Sequence, residues 1–158
     1  MQFVSKDSAF SDGIDIDGAL YSALTAGDLP AACLICQSAD NSSEKLSVSA
    51  LFNCGLFRYL LGEYEKSLDF LKQAEILLGN PFDFDISQRQ LFIKSLEHTS
   101  GGLALLPLDK RTAENFARYA LIRVKWLMAI CFEKLGRGHE AASLKNFLEQ
   151  YNIQVKGE

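Results

Sequence analysis

The chain has 158 residues, 48% of them apolar, and a formal net charge of −4, enough apolar content for one domain with a sizeable core. A sequence pI near 5.2 gives little counterion release on nucleic acid, and the basic residues between Lys110 and Arg137 are separated by apolar ones, so nucleic acid is excluded as a partner. The charge is uneven: Met1 to Asp109 holds seven basic and fifteen acidic residues, and Lys110 to Glu158 holds nine basic and five acidic, an asymmetry suited to pairing with a partner or with a second copy.

In chain order, residues 1–13 are expected to be flexible and carry no apolar run of the kind an export signal needs. Apolar residues then recur at three- and four-residue spacing, without sustained alternation, which predicts an all-α single domain over 1–158 with about seven helices. The expected helices are 14–26, 29–39, 44–61, 64–78, 86–98, 110–135 and 139–151. Asp28, Ser43 and Asp109 are the expected N-caps, Pro30 suits a first helical turn, and Gly27, Gly62 and Gly136 mark turns. The aspartates from Asp12 to Asp17 imitate a calcium loop, but Leu24 stands where the closing glutamate belongs, so they read as helix-capping residues.

Cys33, Cys36, Cys54 and Cys131 lie inside apolar helical patterns, as buried reduced thiols do, which implies a cytoplasmic setting. Cys33 and Cys36 have redox-motif spacing, yet no second ligand pair completes a metal site and no βαβ pattern surrounds them. No metal, cofactor or catalytic residue is expected: His98 and His139 stand beside no nucleophile signature, and the glycines at 136 and 138 follow a helix rather than the strand a dinucleotide loop requires. No stretch approaches the roughly 18 apolar residues of a membrane span. The loop from Thr99 to Asp109 is unusually apolar, with Leu103, Leu105, Leu106 and Leu108, and is expected either to close the core or to fold over a groove as a lid.

From Leu51 to Pro81, small and large residues fall where a packed helix pair needs them. Gly55, Ser67 and Ala74 take the small positions, Gly62 and Tyr64 make the turn, and Pro81 follows the second helix. This pattern resembles a tetratricopeptide repeat over about 48–81. Aligned on Gly27, a degenerate unit places Leu20, Ala32 and Ala39 at those positions. Aligned on Gly136, another places Ala129, Ala141 and Leu148 there.

The resemblance implies a right-handed superhelix of antiparallel helix pairs whose first helices line a concave groove. Carried over residue by residue, the groove holds Ser49, Phe52, Leu56 and Tyr59 from the good repeat, Arg123, Trp126, Ile130 and Glu133 from the last, and Ile14, Asp17, Tyr21 and Leu24 from the first. Asn53 matches the central asparagine of the family's carboxylate clamp, but Asp17, Tyr21 and Leu127 depart from that clamp, so a receptor for chaperone tails is not expected. The implied function is a non-catalytic scaffold or chaperone-like module that binds a protein, peptide or helix in an aromatic groove. The alternative is a self-associating subunit, such as a homodimer, whose groove is filled by its own chain or by a second copy.

Overall fold

Three successive helical hairpins share one turn. In the computed structural model, which describes residues 15–41, 45–99 and 102–156, α1 (Ile16–Thr25) pairs with α2 (Leu29–Asp40), α3 (Val48–Leu60) with α4 (Tyr64–Leu78), and α7 (Ala117–Lys134) with α8 (Gly138–Glu149). Between the second and third hairpins lie α5 (Ile86–Glu97), a 3₁₀ turn (Leu103–Leu105) and α6 (Lys110–Asn115). The described residues form eight α-helices and no strand, as an all-α fold requires.

In each hairpin turn a glycine takes the left-handed conformation, Gly27 at φ 72°, Gly62 at 78° and Gly136 at 72°. The next amide reaches back five residues: Asp28 N–H donates to Ala23, Glu63 N–H to Arg58 and Arg137 N–H to Phe132, at 2.9, 2.9 and 2.8 Å. This is the Schellman ending, which satisfies orphan carbonyls and reverses the chain at a fixed angle. Asn152, at φ 56°, ends α8 the same way, with Ile153 N–H donating to Leu148 at 3.1 Å.

The small residues set how closely the helices approach. A Cβ at Gly55 would stand 3.0 Å from the Leu71 side chain and 3.3 Å from the Ser67 carbonyl, so α3 and α4 meet there with no room for a methyl group. The Ser67 hydroxyl donates across that contact to the Gly55 carbonyl at 2.7 Å, and the Cys131 thiol of α7 in turn donates to Ser67 at 3.4 Å. Helix α4 is therefore sandwiched between α3 and α7. Leu20, Ala32, Ala39, Ala74, Ala129, Ala141 and Leu148 are likewise buried at the aligned positions.

Two helix boundaries differ from the periodicity. The expected helix 110–135 is broken at Phe116 (φ −132°, ψ 64°), so there are eight helices rather than seven. Helix α6 rests on α3 as well as α7, and the chain must change direction before α7 can lie along α4. The apolar stripe runs unbroken through the kink and conceals it. Helix α3 begins at Val48, later than 44, because Ser47 takes the cap and accepts from the Ala50 amide. The expected cap Ser43 lies outside the described residues. Asp28 and Asp109 cap α2 and α6 as expected.

The two charge halves meet within the chain. Lys125 pairs with Glu75 at 2.8 Å, Arg118 with Asp83 at 3.2 Å and Arg137 with Glu65 at 2.8 Å. Much of the asymmetry in the sequence thus holds the third hairpin against α4 and the strand of chain that follows it.

That strand leads into an aromatic and ionic cluster. Tyr151, fully buried just after α8, donates to Asp83 at 2.7 Å and accepts from Arg118 Nε at 2.9 Å. Its ring meets Phe84, Phe92 and Phe147 with centroids 6.0, 5.9 and 5.7 Å away. Helix α5 contributes no fully buried residue of its own, and half-buried Phe92, Ile93 and Leu96, with Phe84 just before it, pack it against the core. Burial pushes the Asp83 carboxyl up, but the Tyr151 hydroxyl, the Phe84 amide, Arg118 and Arg89 outweigh this and hold it below the usual range. A depressed carboxyl stabilises the fold above its unfolded pKa of about 3.9 and loses that contribution as pH falls through the folded value. Asp83→Asn should therefore flatten the fall in melting temperature below about pH 4, measured against the parent by thermal scans from pH 7 to pH 2.5.

Candidate interaction site

The first helices of the hairpins lie side by side, α1 on α3 and α3 on α7, and the chain's own segment Gly102–Asp109 is seated on α3 and α7. Asn53, fully buried on α3, holds that segment with both ends of its amide: Nδ2 donates to the Leu108 carbonyl and Oδ1 accepts from the Leu108 N–H, each at 2.8 Å. Arg123 on α7 grips it two residues earlier, with one terminal nitrogen donating to the Leu106 carbonyl and the other to the Tyr119 hydroxyl at 3.0 Å. Its guanidinium lies over the Phe52 ring at 5.1 Å and over Tyr119 at 5.7 Å. Leu106 is extended, as the residue before Pro107 must be, Asp109 is extended as the N-cap of α6, and the Leu108 side chain is 2% exposed. The apolar loop is therefore a plug for this face, secured by paired main-chain hydrogen bonds.

The residues assigned to the groove divide into three groups. Phe52, Asn53 and Arg123 converge on the plug. Leu24 and Leu56 are buried in the core beside them. Ser49 and Asp17, also groove positions, bond each other, and Asp17 accepts from Ser47 as well, tying α1 to the start of α3. Tyr21 is half-buried, and Tyr59, also half-buried, packs at a tilt against Tyr64 with centroids 5.4 Å apart beside the turn of its own hairpin. Trp126 and Ile130 line a separate pocket of about 170 Å³ together with Glu133, Gln154 and Val155. Ile14 lies outside the described residues. Leu106 and Leu108, singled out in the sequence as part of an apolar loop, occupy the face through their main chain, and Tyr119, not among the expected groove residues, orients Arg123. The apolar run Leu103–Leu108 was the available signal, but nothing local names Asn53 as its partner.

No family model, no curated protein and no solved structure matches this chain. Among the described residues no group of three or more His, Cys, Asp and Glu side chains could hold a metal ion, and no helix is long and apolar enough to cross a membrane. His98 caps the end of α5, and His139 is exposed in the first turn of α8.

Cys36 and Cys54 face each other across α2 and α3 with their sulfurs 3.9 Å apart, both free and buried. The hydrogen bond to Cys36 and burial push the Cys54 thiol up, and burial pushes Cys131 up to about 11. The bond to Cys54 lowers the Cys36 thiol, but Cys36 is 2% exposed, and thiols held out of solvent are poor nucleophiles. Iodoacetamide at pH 8 should modify half-exposed Cys33 in the native protein and reach Cys36, Cys54 and Cys131 only on unfolding, which mass spectrometry of the labelled peptides will check.

There are two further open apolar depressions, the second of which adjoins the plug site through Tyr119. One, of about 500 Å³, is lined by Leu46, Leu51, Ile76 and Leu77, and the other, of about 440 Å³, by Phe84, Phe92, Phe116 and Tyr119. Neither has a buried polar group converging on it of the kind Asn53 and Arg123 provide.

Proposed function

We propose that this protein is a non-catalytic interaction module of tetratricopeptide-like helix pairs that binds an extended peptide on the α3–α7 face, and that it works in the cytoplasm. The observation that carries the reading is how Asn53 and Arg123 hold the plug. Both bond main-chain groups of an extended segment, the contacts by which a groove holds a peptide whatever its sequence, while the Leu108 side chain fills a buried site as an anchor. Three hairpins with one turn geometry and small residues at aligned positions support the repeat arrangement. The four free cysteines support a reducing compartment.

The alternative of a groove filled by its own chain is favoured by the same segment, and the two are compatible if the plug is the resting occupant. Replacing residues 102–108 with a Gly-Ser linker of equal length keeps the groove side chains and removes the Leu108 anchor, so the segment should leave the face far more readily. Displayed peptide libraries should then yield extended binders whose capture is lost on Asn53→Ala. Failure of any peptide to be enriched on a folded linker variant would overturn the proposal.

A further inference from the structure

Resting on the reading above, we propose that the segment Gly102–Asp109 is an exchangeable occupant, and that the partner displacing it is an extended, leucine-bearing peptide whose acidic side chain pairs with Arg123. The plug serves Arg123 poorly. Arg123 is 2% exposed, yet it takes part in no ion pair of the described residues. Its neighbours are one carbonyl, one tyrosine hydroxyl and two aromatic faces, and its Nε is buried without any hydrogen-bond partner. A buried guanidinium without an opposite charge bears the desolvation penalty of burial with little return, and a spare N–H beside an occupied one is the geometry a carboxylate satisfies with two parallel bonds.

The plug has an acidic residue but cannot offer it. Asp109 is turned away to cap α6, accepting from the Thr112 amide at 2.8 Å. What the plug supplies is main chain at Leu106 and Leu108 and one anchoring side chain, all of which any extended peptide with a suitably placed leucine reproduces. A peptide that adds a carboxylate supplies the missing charge as well, so exchange runs toward the acidic partner. The plug then sets a threshold: apparent affinity is the intrinsic affinity scaled by the fraction of molecules in which the segment has left the groove.

The test uses the intact protein and synthetic peptides copying residues 103–110, unmodified or with Glu in place of each of residues 104 to 107 in turn, read by fluorescence anisotropy. At least one acidic peptide should bind the wild-type chain about tenfold more tightly than the unmodified copy, with an advantage that shrinks as salt rises and vanishes in a folded Arg123→Gln variant. In parallel, the Leu108 amide should exchange its hydrogen faster than the core amides of α3, through an opening short of global unfolding. Exchange of Leu108 only at the global rate overturns the proposal, as does equal binding of acidic and unmodified peptides. If the linker variant binds peptide and the wild type does not, exchange fails while the groove reading stands. If neither binds, both fall.

Discussion

Asn53→Ala should cost about 2–5 kcal/mol of folding stability, because truncating one side chain strands the N–H and the carbonyl of Leu108 together. A buried main-chain group left without a partner costs about 1–3 kcal/mol, and Leu108 is too enclosed for water to replace the amide at once. Equilibrium urea unfolding measures the effect. A loss below about 1 kcal/mol would mean that the segment simply leaves the face and is solvated, with the hairpins standing without it. Leu108→Ala is the companion variant. It keeps both main-chain bonds and removes only the anchor, so its expected cost of about 2–5 kcal/mol reports packing rather than polar satisfaction.

The second large effect is expected at Tyr151. Tyr151→Ala removes a fully buried ring that five aromatic or cationic neighbours share, and large-to-small changes of this kind cost about 3–5 kcal/mol. For a domain of this size that is a fall of roughly 6–20 °C in melting temperature. Tyr151→Phe keeps the ring and loses the bonds to Asp83 and Arg118, both charged, for an expected cost of about 1.5–3 kcal/mol. Helix α5 depends on this ring through Phe84 and Phe92. In the alanine variant its amides should exchange hydrogen far earlier than those of α3 and α4, while in the phenylalanine variant they should keep most of their protection. Equal protection of α5 in both variants would show that Tyr151 is not what secures it.

The hairpins were legible because their determinants are local. A glycine that must take positive φ, a cap such as Asp28, and alanines or Ser67 at fixed distances from the turn all leave a mark within about 34 residues. The kink at Phe116 was not legible, since the apolar spacing continues across it and only the competing demands of α3 and α4 on the two half-helices produce it. Trp126 and Ile130 fell at groove positions by alignment, but Gln154 and Val155 after α8 line the same pocket, a placement that helix periodicity does not encode.

The candidate site was half legible for the same reason. Asn53 and Arg123 stood out by position, and the leucines of residues 103–108 stood out by being too apolar for a free loop. What joins them is a contact 55 residues apart in sequence, made largely to main-chain atoms, which carry no residue-type signature. A buried arginine without a carboxylate is equally invisible in the sequence, where acidic residues are plentiful and only the fold shows that Asp83, Glu75 and Glu65 are engaged by other cations.

The most direct test of a peptide site on α3 and α7 is a nitrogen-15 NMR titration of the linker variant with an acidic copy of residues 103–110. Saturable shifts at Phe52, Asn53, Tyr119 and the Arg123 side-chain Nε–H are the predicted result. Shifts confined to the Trp126 pocket or to the Phe84–Phe116 depression, with the Asn53 side-chain amide unmoved, would contradict it.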